Sequence, residues 1–187
     1  MRYPASETAE KHGKILNAAA RLFRERGFSG VGVAEIMQAA GLTHGAFYAH
    51  FHSKDALAAE ALVRAFAQSD DNIDAATANA AEPKQAFLEG YLSARHRDRP
   101  GTGCALAALG AEIARDTAMR APFTEQVKRM IAGMAKRFSW KGKTSARRNA
   151  IHLLSAVLGA LVLARAVDDP ELSDEILASV RKGLASM

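Results

Sequence analysis

The segment 32–54 constrains the fold of this chain more than any other, because its residue pattern predicts two short helices joined by a tight turn. Gly41 is expected to end the first of these helices, since a helix C-terminus often requires a residue with positive φ. Thr43 is a candidate N-cap whose side chain would accept a backbone N–H of the second helix. Phe47 and Phe51 are four residues apart, so both rings point inward from the same side of that helix. The pattern therefore predicts a helix-turn-helix.

The outward side of the second helix carries the candidate DNA-reading residues. A short helix with a small, polar and aromatic outer face suits insertion into the major groove of DNA. The best candidates for contacts within the groove are Thr43, His44, Gly45 and Tyr48. His50 and Lys54 are candidate phosphate contacts, and Lys54 would be aided by the positive N-terminal end of the next helix. Two alternatives stay open, namely that Tyr48 is a half-buried packing residue and that His50 braces the next helix.

Residues 18–57 carry a resemblance to a known family. The helix that ends at Gly27-Phe28, and the run from Ala40 to Leu57 (AGLTHGAFYAHFHSKDAL), resemble the N-terminal pattern of the TetR family of transcriptional regulators. Two positions depart from that pattern. The family often has Thr at the start of its second helix, where this chain has Gly32-Val33, and often has Lys after the turn, where this chain has His44. The first departure removes a side-chain cap, and the second puts the charge of that contact under the control of pH.

The resemblance implies a ligand-responsive repressor that binds an inverted-repeat operator as a homodimer. The implied fold is all-α, with a helix-turn-helix DNA-binding domain at 1–54 and a helical effector-binding and dimerisation domain at 55–187. It also implies that Tyr48 donates its hydroxyl to a phosphate. Two reading helices would lie about 34–36 Å apart on the DNA. Effector binding would shift the population toward dimers whose reading helices are wrongly spaced for the operator.

Composition agrees with an all-α protein of about nine helices. Apolar residues make up 49% of the 187 residues, only five prolines occur, and the apolar periodicity is helical nearly throughout. The formal net charge is +5, and residues 1–54 hold seven Lys and Arg against four Asp and Glu. This excess favours polyanionic partners, and solvated helix faces account for part of it. The N-terminus lacks an apolar signal core, so we expect a cytoplasmic protein.

Cap residues and apolar spacing predict the remaining helices. Ser6 or Thr8 is expected to cap the first helix, and Ser53 caps a longer one that runs to about Gln68. Pro83 suits the first turn of the next helix. The Arg-rich segment 95–103 is predicted to be a loop. Further helices are predicted at roughly 104–116, 121–138 and 150–167 and after Pro170, with a break at 139–143.

The segment 150–167 is apolar nearly all round, which predicts a helix that is covered on most sides. A membrane span is disfavoured because His152 and Arg165 interrupt the segment. The other helices are too few to cover it, so we expect a second subunit to pack against this helix and the last one. The resemblance implies the same four-helix pairing, and an ordinary intrachain core is the alternative. The predicted dimer interface comprises Ile151, Leu154, Leu158, Leu161, Val162, Ile176, Val180 and Leu184.

The resemblance also implies a pocket for an unknown small-molecule effector in the C-terminal body. Methionine adapts to ligand pockets, but it fills cores equally well. The candidate lining residues are Phe87, Tyr91, Cys104, Met119, Phe123, Met130, Met134 and His152. Cys104 is the single cysteine and follows three arginines that could make its thiol reactive. A redox- or electrophile-sensing regulator is therefore the alternative function, and a small buried side chain is the alternative role for this cysteine.

Three other classes of function are disfavoured. An enzyme would have to pair Cys104 with His96 or His152, and no acid–base or phosphate-binding motif stands nearby. A metal site at the three histidines between residues 44 and 52 lacks a cysteine or acid to complete it, and no cofactor is expected. A sequence-indifferent DNA-binding protein would need more Lys and Arg than the outer face of 44–49 carries.

Overall fold

The computed structural model describes residues 5–140 and 144–186, which fold into helices without any strand. The all-α prediction is confirmed for this part of the chain. Two of the helices are short 3-10 helices, and the rest are α-helical. In chain order the elements are α1 (Ala5–Arg26), α2 (Val33–Ala39), the 3-10 helix His44–Ala49, α3 (Lys54–Thr77), α4 (Pro83–Tyr91), α5 (Ala94–Asp98), the 3-10 helix Pro100–Thr102, α6 (Ala105–Ile113), α7 (Arg120–Arg137), α8 (Ala146–Ala166) and α9 (Pro170–Ala185).

The turns of the helix-turn-helix follow from glycine and cap residues. Gly27 after α1 and Gly41 after α2 both have positive φ, at 75° and 72°, as predicted for Gly41. The Ser53 hydroxyl accepts the Ala56 N–H at 3.0 Å, which confirms the predicted cap of α3. The predicted cap of the first helix is wrong, because α1 already begins at Ala5 and Ser6 and Thr8 lie inside it.

The second helix of the motif is tighter than an α-helix. Residues His44–Ala49 form a 3-10 helix, in which the Ala46 N–H donates to the Thr43 carbonyl at 3.1 Å. Thr43 has the extended backbone of an N-cap, but its side chain accepts no capping hydrogen bond, so that prediction is wrong. Phe47 and Phe51 are both buried, with ring centroids 5.8 Å apart, as predicted. The two rings anchor this short helix to the core.

α3 is longer than predicted, because its acidic stretch is held by partners on α7. The Asp70 carboxylate accepts a hydrogen bond from the Gln126 amide at 2.7 Å, and Asp74 forms an ion pair with Arg137. The helix therefore continues past Gln68 to Thr77. The pKa of Asp70 is raised by burial, which the Gln126 hydrogen bond partly offsets.

The predicted loop 95–103 is partly helical. Ser93 caps the short helix α5 by accepting the His96 N–H, and Arg165 of α8 donates to the carbonyls of His96 and Arg97 at 2.7 and 3.0 Å. A side chain distant in sequence thus satisfies the C-terminal carbonyls of α5.

The C-terminal helices agree with the prediction to within a few residues. α6 ends at Ile113 rather than near residue 116, and α8 already begins at Ala146. Ser139 and Trp140 follow α7 outside any helix, and the rest of the predicted break, 141–143, lies outside the described residues. One side of α8 is fully buried through Leu153, Val157 and Leu161, against α6, α7 and α9.

Candidate functional site

The outward face of the helix-turn-helix is an exposed, continuous surface. Tyr48 is 72% exposed, the largest exposure among the large apolar and aromatic side chains of the described chain. Its ring meets the ring of buried Phe47 edge-on, with centroids 5.2 Å apart. Thr43, His44 and Gly45 are also exposed, on the same short helix and the residue before it. An aromatic side chain held outward in this way is accessible to a partner, and the alternative of a half-buried Tyr48 does not apply.

The two candidate phosphate contacts lie at the edge of this surface and are half-buried. Lys54 is the first residue of α3. The ring of His50 lies 5.9 Å from that of His12 in α1. Burial lowers the pKa of His50, and the nearby His12 and Lys11 lower it further. His50 is therefore mainly neutral at neutral pH and offers a phosphate a hydrogen bond rather than a charge.

A polar framework joins α1 to α3 and sets the position of the helix-turn-helix. The Arg24 guanidinium is buried and donates to the Ala65 carbonyl at 3.3 Å and to Gln68 at 2.7 Å. Burial lowers the pKa of Arg24 to about 10, so the group stays charged. A second link joins His12 of α1 to Glu60 of α3, with His12 Nε2 lying 3.1 Å from Glu60 Oε2. The sequence shows Arg24 only as one of the seven basic residues of 1–54, since its partners lie more than forty positions away.

A cavity of about 1000 Å³ lies beneath α1, between α3, α4 and the segment 93–104, and we call it the α4–α5 cavity. Of the predicted pocket residues, the structure brings Phe87, Tyr91 and Cys104 together in its wall. Sequence reasoning missed most of its polar lining, for which the turn residues and arginines of 93–103 were the available signal. These missed polar residues are Glu25, Ser69, Asn72, Ser93, Arg95, His96, Asp98, Arg99 and Thr102.

The other predicted pocket residues lie elsewhere. Met130 and Met134 line a separate cavity of about 220 Å³ between α3 and α7. Met119 and Phe123 line neither cavity, because Met119 is buried in the core and Phe123 packs against Phe66 at a centroid distance of 6.3 Å. His152 is exposed on α8 and lines neither cavity. The single pocket that the sequence analysis placed among all eight residues is therefore wrong.

His96 fixes the wall of the α4–α5 cavity through both ring nitrogens. Its Nε2 lies 3.0 Å from the backbone N–H of Cys104, which can only donate, so Nε2 carries no proton. Its Nδ1 therefore carries the proton and donates to the Tyr91 carbonyl at 2.8 Å. Burial lowers the pKa of His96, and the nearby charge of Arg165 lowers it further. The neutral imidazole thus ties the end of α4 to the start of α6.

Cys104 is 5% exposed and lies beside the Tyr91 hydroxyl. This hydroxyl is buried and has no hydrogen-bond partner within the described residues. Burial raises the pKa of Tyr91, so the phenol stays protonated.

Both ring nitrogens of His96 are used by backbone groups, Nε2 by the N–H of Cys104 and Nδ1 by the carbonyl of Tyr91. The cysteine–histidine pair required by an enzyme is not assembled with His96, and His152 lies on the exterior of α8.

The cavity wall is joined both to the DNA-binding end and to the last two helices. Glu25 of α1 lines the cavity, and a Cβ at Gly101 would overlap the side chains of Glu25 and Arg21. On the other side, Arg97 donates to Ser173 at 2.9 Å and forms an ion pair with Asp174, both on α9. The segment 93–104 therefore touches the cavity, α1, α8 and α9.

The outer surfaces of α8 and α9 expose apolar side chains. Val162 is 45% exposed and Leu163 is 56% exposed, and Ile151 and Leu172 are exposed as well. By length and composition α8 is the one helix of the described chain that could cross a membrane, and 44% of that stretch is buried in the protein.

The predicted dimer interface needs correction at three of its eight positions. Leu154, Leu161 and Leu184 are buried in their own chain and present nothing to a partner. The remaining predicted positions are exposed or half-buried: Ile151, Leu158, Val162, Ile176 and Val180. Leu163 on α8 and Leu172 on α9, which the predicted interface omitted, are exposed as well.

Comparisons with known proteins give a consistent result. A family model described as bacterial regulatory proteins, tetR family, matches residues 15–61. The chain is 30% identical over 99 residues to the HTH-type transcriptional repressor DhaR of Mycobacterium sp. (strain GP1), covering 53% of this chain and 50% of that protein. It is 42% identical over 62 residues to the HTH-type transcriptional repressor KstR2 of Rhodococcus jostii (strain RHA1), covering 32% and 30%. The matched regions thus span half or less of these curated relatives.

Solved structures share the fold over nearly the whole chain. A TetR-family transcriptional regulator from Cytophaga hutchinsonii superposes with a TM-score of 0.80 at 21% identity, covering 99% of this chain and 98% of that one. The reduced form of E. coli NemR superposes with a TM-score of 0.78 at 22% identity, covering 95% and 96%. The fold described above is therefore one found in experimental structures.

Proposed function

We propose that this chain is a member of the TetR family of bacterial regulatory proteins, and that it is a ligand-responsive repressor that binds an inverted-repeat operator as a homodimer. Residues 1–54 are assigned to DNA binding and residues 55–187 to effector binding and dimerisation. The observation that carries the DNA-binding assignment is the outward Tyr48, 72% exposed on a helix that two buried phenylalanines anchor. A ring and hydroxyl held outward in this way can offer a partner both apolar contact and a hydrogen bond.

The groove contacts are assigned to Thr43, His44, Gly45 and Tyr48. The Thr43 hydroxyl caps no helix, so it is available to a base or phosphate. Gly45 has open space where a Cβ would stand, which allows DNA to approach the backbone. Lys54 supplies the charged phosphate contact, and His50 adds a neutral donor.

Homodimerisation is assigned to the exposed apolar surface of α8 and α9. One short helix reads only a few base pairs, so specificity requires two copies spaced by about one helical turn of DNA. A second copy of α8 and α9 would cover Val162 and Leu163, whose exposure in one chain is otherwise unfavourable. This pairing accounts for an apolar helix that is less than half buried within its own chain.

Ligand response is assigned to the α4–α5 cavity. Its volume of about 1000 Å³ is at the upper end of the range for small-molecule sites. Glu25 of α1 and the segment 99–103, which packs against α1, belong to its wall, so a ligand that displaces them would move the helix-turn-helix. Binding would thereby favour dimers with wrongly spaced reading helices.

Selection of bound sequences from random duplex DNA at near-physiological salt tests the DNA-binding proposal. The expected result is an enriched inverted repeat for the wild-type protein and its loss for Tyr48→Ala. Binding that fades with rising salt and enriches no sequence, with and without cell extract, would instead indicate a sequence-indifferent DNA-binding protein.

Thiol-based sensing is a second candidate for the response, because Cys104 lines the same cavity. A Cys104→Ser variant separates the two candidates. If operator release by an oxidant or electrophile is abolished in this variant while release by a reversible ligand is kept, the thiol is a sensor. Unchanged release by the oxidant would remove that role.

A further inference from the structure

Two acids and two arginines line the α4–α5 cavity, but only the acids are ion-paired in the described chain, each with an arginine outside the lining. Its carboxylates, Glu25 and Asp98, are each paired with a neighbouring arginine, Arg21 at 3.0 Å and Arg97 at 2.7 Å. Arg95 and Arg99 also line the cavity, and the guanidinium group of neither makes a hydrogen bond or ion pair within the described residues. Among the charged residues of the wall, the unpaired charge is thus positive.

Arg165 adds a third positive charge close to the same wall. Its guanidinium is directed at the backbone carbonyls of His96 and Arg97, so no carboxylate neutralises it directly. The guanidinium lies close to the cavity residue Gly103, since a Cβ built on Gly103 would stand 3.2 Å from one of the Arg165 guanidinium nitrogens. The partly buried charge is screened less by salt than a surface charge would be.

The wall formed by α3 and α4 is largely apolar. Ile73, Ala75 and Ala76 on α3 and Phe87 on α4 line it, together with the polar Ser69 and Asn72 of α3. A bare inorganic anion would leave most of the volume of about 1000 Å³ unfilled and this apolar wall wet.

We infer that the effector taken by this cavity is an amphipathic organic anion. Its carboxylate or phosphate-monoester head binds Arg95 and Arg99, and its apolar body lies against the wall formed by α3 and α4. Arginine is well suited to this role because its planar fork binds carboxylate and phosphate oxygens in pairs. The inference rests on the proposed effector role of the cavity, and it specifies the chemical class of the ligand.

Calorimetric titration of the full-length protein with four ten-carbon probes tests the inference. The probes are decanoate, decyl phosphate, decanol and decyltrimethylammonium, with each ionic probe below its critical micelle concentration and decanol below its solubility limit. We expect at least one anion to bind about tenfold more tightly than decanol, a ratio expected for charge-assisted hydrogen bonds. The head group that binds more tightly distinguishes a carboxylate ligand from a phosphate ester.

A double variant, Arg95→Gln with Arg99→Gln, should remove the preference for the anion and leave decanol binding unchanged. Arg115→Gln is the matched control, because Arg115 is exposed in the turn after α6 and its side chain donates only to the Ala111 carbonyl. If the variant unfolds, the salt dependence in the wild-type protein decides instead. Anion affinity should fall with rising salt, and decanol affinity should not.

Three results would overturn the inference: equal binding of the alcohol or the ammonium probe, retention of the anion preference in the double variant, and absence of any anion binding. Operator binding, measured separately, distinguishes this inference from the proposed function. If a cell extract releases operator DNA while no anion binds, only the ligand class is wrong. If an anion binds with the expected preference but operator affinity is unchanged, the ligand-responsive function is wrong instead.

Discussion

At the scale of single residues, neighbouring side chains on the short helix of the motif have opposite roles. Phe47 is buried and anchors the helix, while Tyr48 points to solvent. Substitution at Phe47 would therefore affect folding and DNA binding together. Substitution at Tyr48 separates the two properties.

Tyr48→Ala should weaken operator binding by about 1–3 kcal/mol, because the variant lacks the hydroxyl that is proposed to donate to DNA. The thermal midpoint should hardly change, since the ring is mostly exposed. Fluorescence anisotropy with labelled operator measures the first property, and calorimetry the second. Operator affinity equal to that of the wild type would contradict the assigned reading helix.

Lys54→Ala should weaken binding to operator and to random DNA alike. Removing one phosphate-binding lysine from each subunit should reduce the salt slope of binding by about one unit for each phosphate that is no longer neutralised. Titrations at several salt concentrations measure this slope. Lys136→Ala is the control, because Lys136 is exposed on α7, outside the helix-turn-helix. An effect restricted to one operator sequence would instead assign Lys54 to base reading.

The sequence predicted the conformation and burial of residues whose partners lie nearby in the chain, but not the contacts of residues whose partners are distant in the chain. The positive φ at Gly41, the Ser53 cap and the burial of Phe47 and Phe51 depend on neighbours within a few positions. Arg24 could not be read in this way, because its hydrogen bonds cross from α1 to α3. The anchoring of α5 by Arg165 of α8 could not be predicted for the same reason, because its hydrogen bonds join residues that are far apart in sequence.

At the scale of elements, α5 depends on a neutral histidine. Burial depresses the pKa of His96, so the folded state favours the uncharged ring. The unfolded chain binds a proton at an ordinary pKa of about 6.5. The stability that this interaction contributes is therefore fully present above that pH and is lost as the pH falls below it.

Thermal unfolding from pH 7.5 to pH 5.5 tests this expectation. The midpoint should fall more steeply for the wild type than for His96→Gln, whose side chain cannot take up the proton. His50 has a lowered pKa as well and contributes with the same sign, so the difference between the two proteins isolates His96. His52→Gln, at an exposed site, should keep the wild-type slope. Parallel curves for wild type and His96→Gln would refute the role of His96.

The orientation of an element about its axis was the least predictable feature. The segment 150–167 is apolar nearly all round, so its sequence contains little information about which side faces its own chain. Leu154 and Leu161 could therefore be assigned to the wrong side. The effector cavity was misjudged for a related reason, because residues on α4, α7 and α8 can share a pocket only if their faces converge.

At the scale of the whole molecule, the exposed surface of α8 and α9 should determine the oligomeric state. Leu163→Glu places a charge in the proposed interface, and dimerisation should weaken by at least about tenfold. Operator affinity should fall with it. Analytical ultracentrifugation measures the oligomeric state. Val63→Glu is the matched control, because Val63 is similarly exposed but lies on α3. A stable dimer of the Leu163→Glu variant would refute the assigned interface.

The contribution of Glu25 to the cavity wall has a consequence for protein engineering. Regulators with new combinations of operator and inducer are often sought by joining the head of one protein to the body of another. In this chain an exchange of residues 1–54 would also exchange part of the proposed effector site, since Glu25 belongs to α1. Under the proposed function, effector selectivity and operator choice are thus not separable modules. A chimaera would have to retain Glu25, and Arg21 to pair with it, to keep the original response.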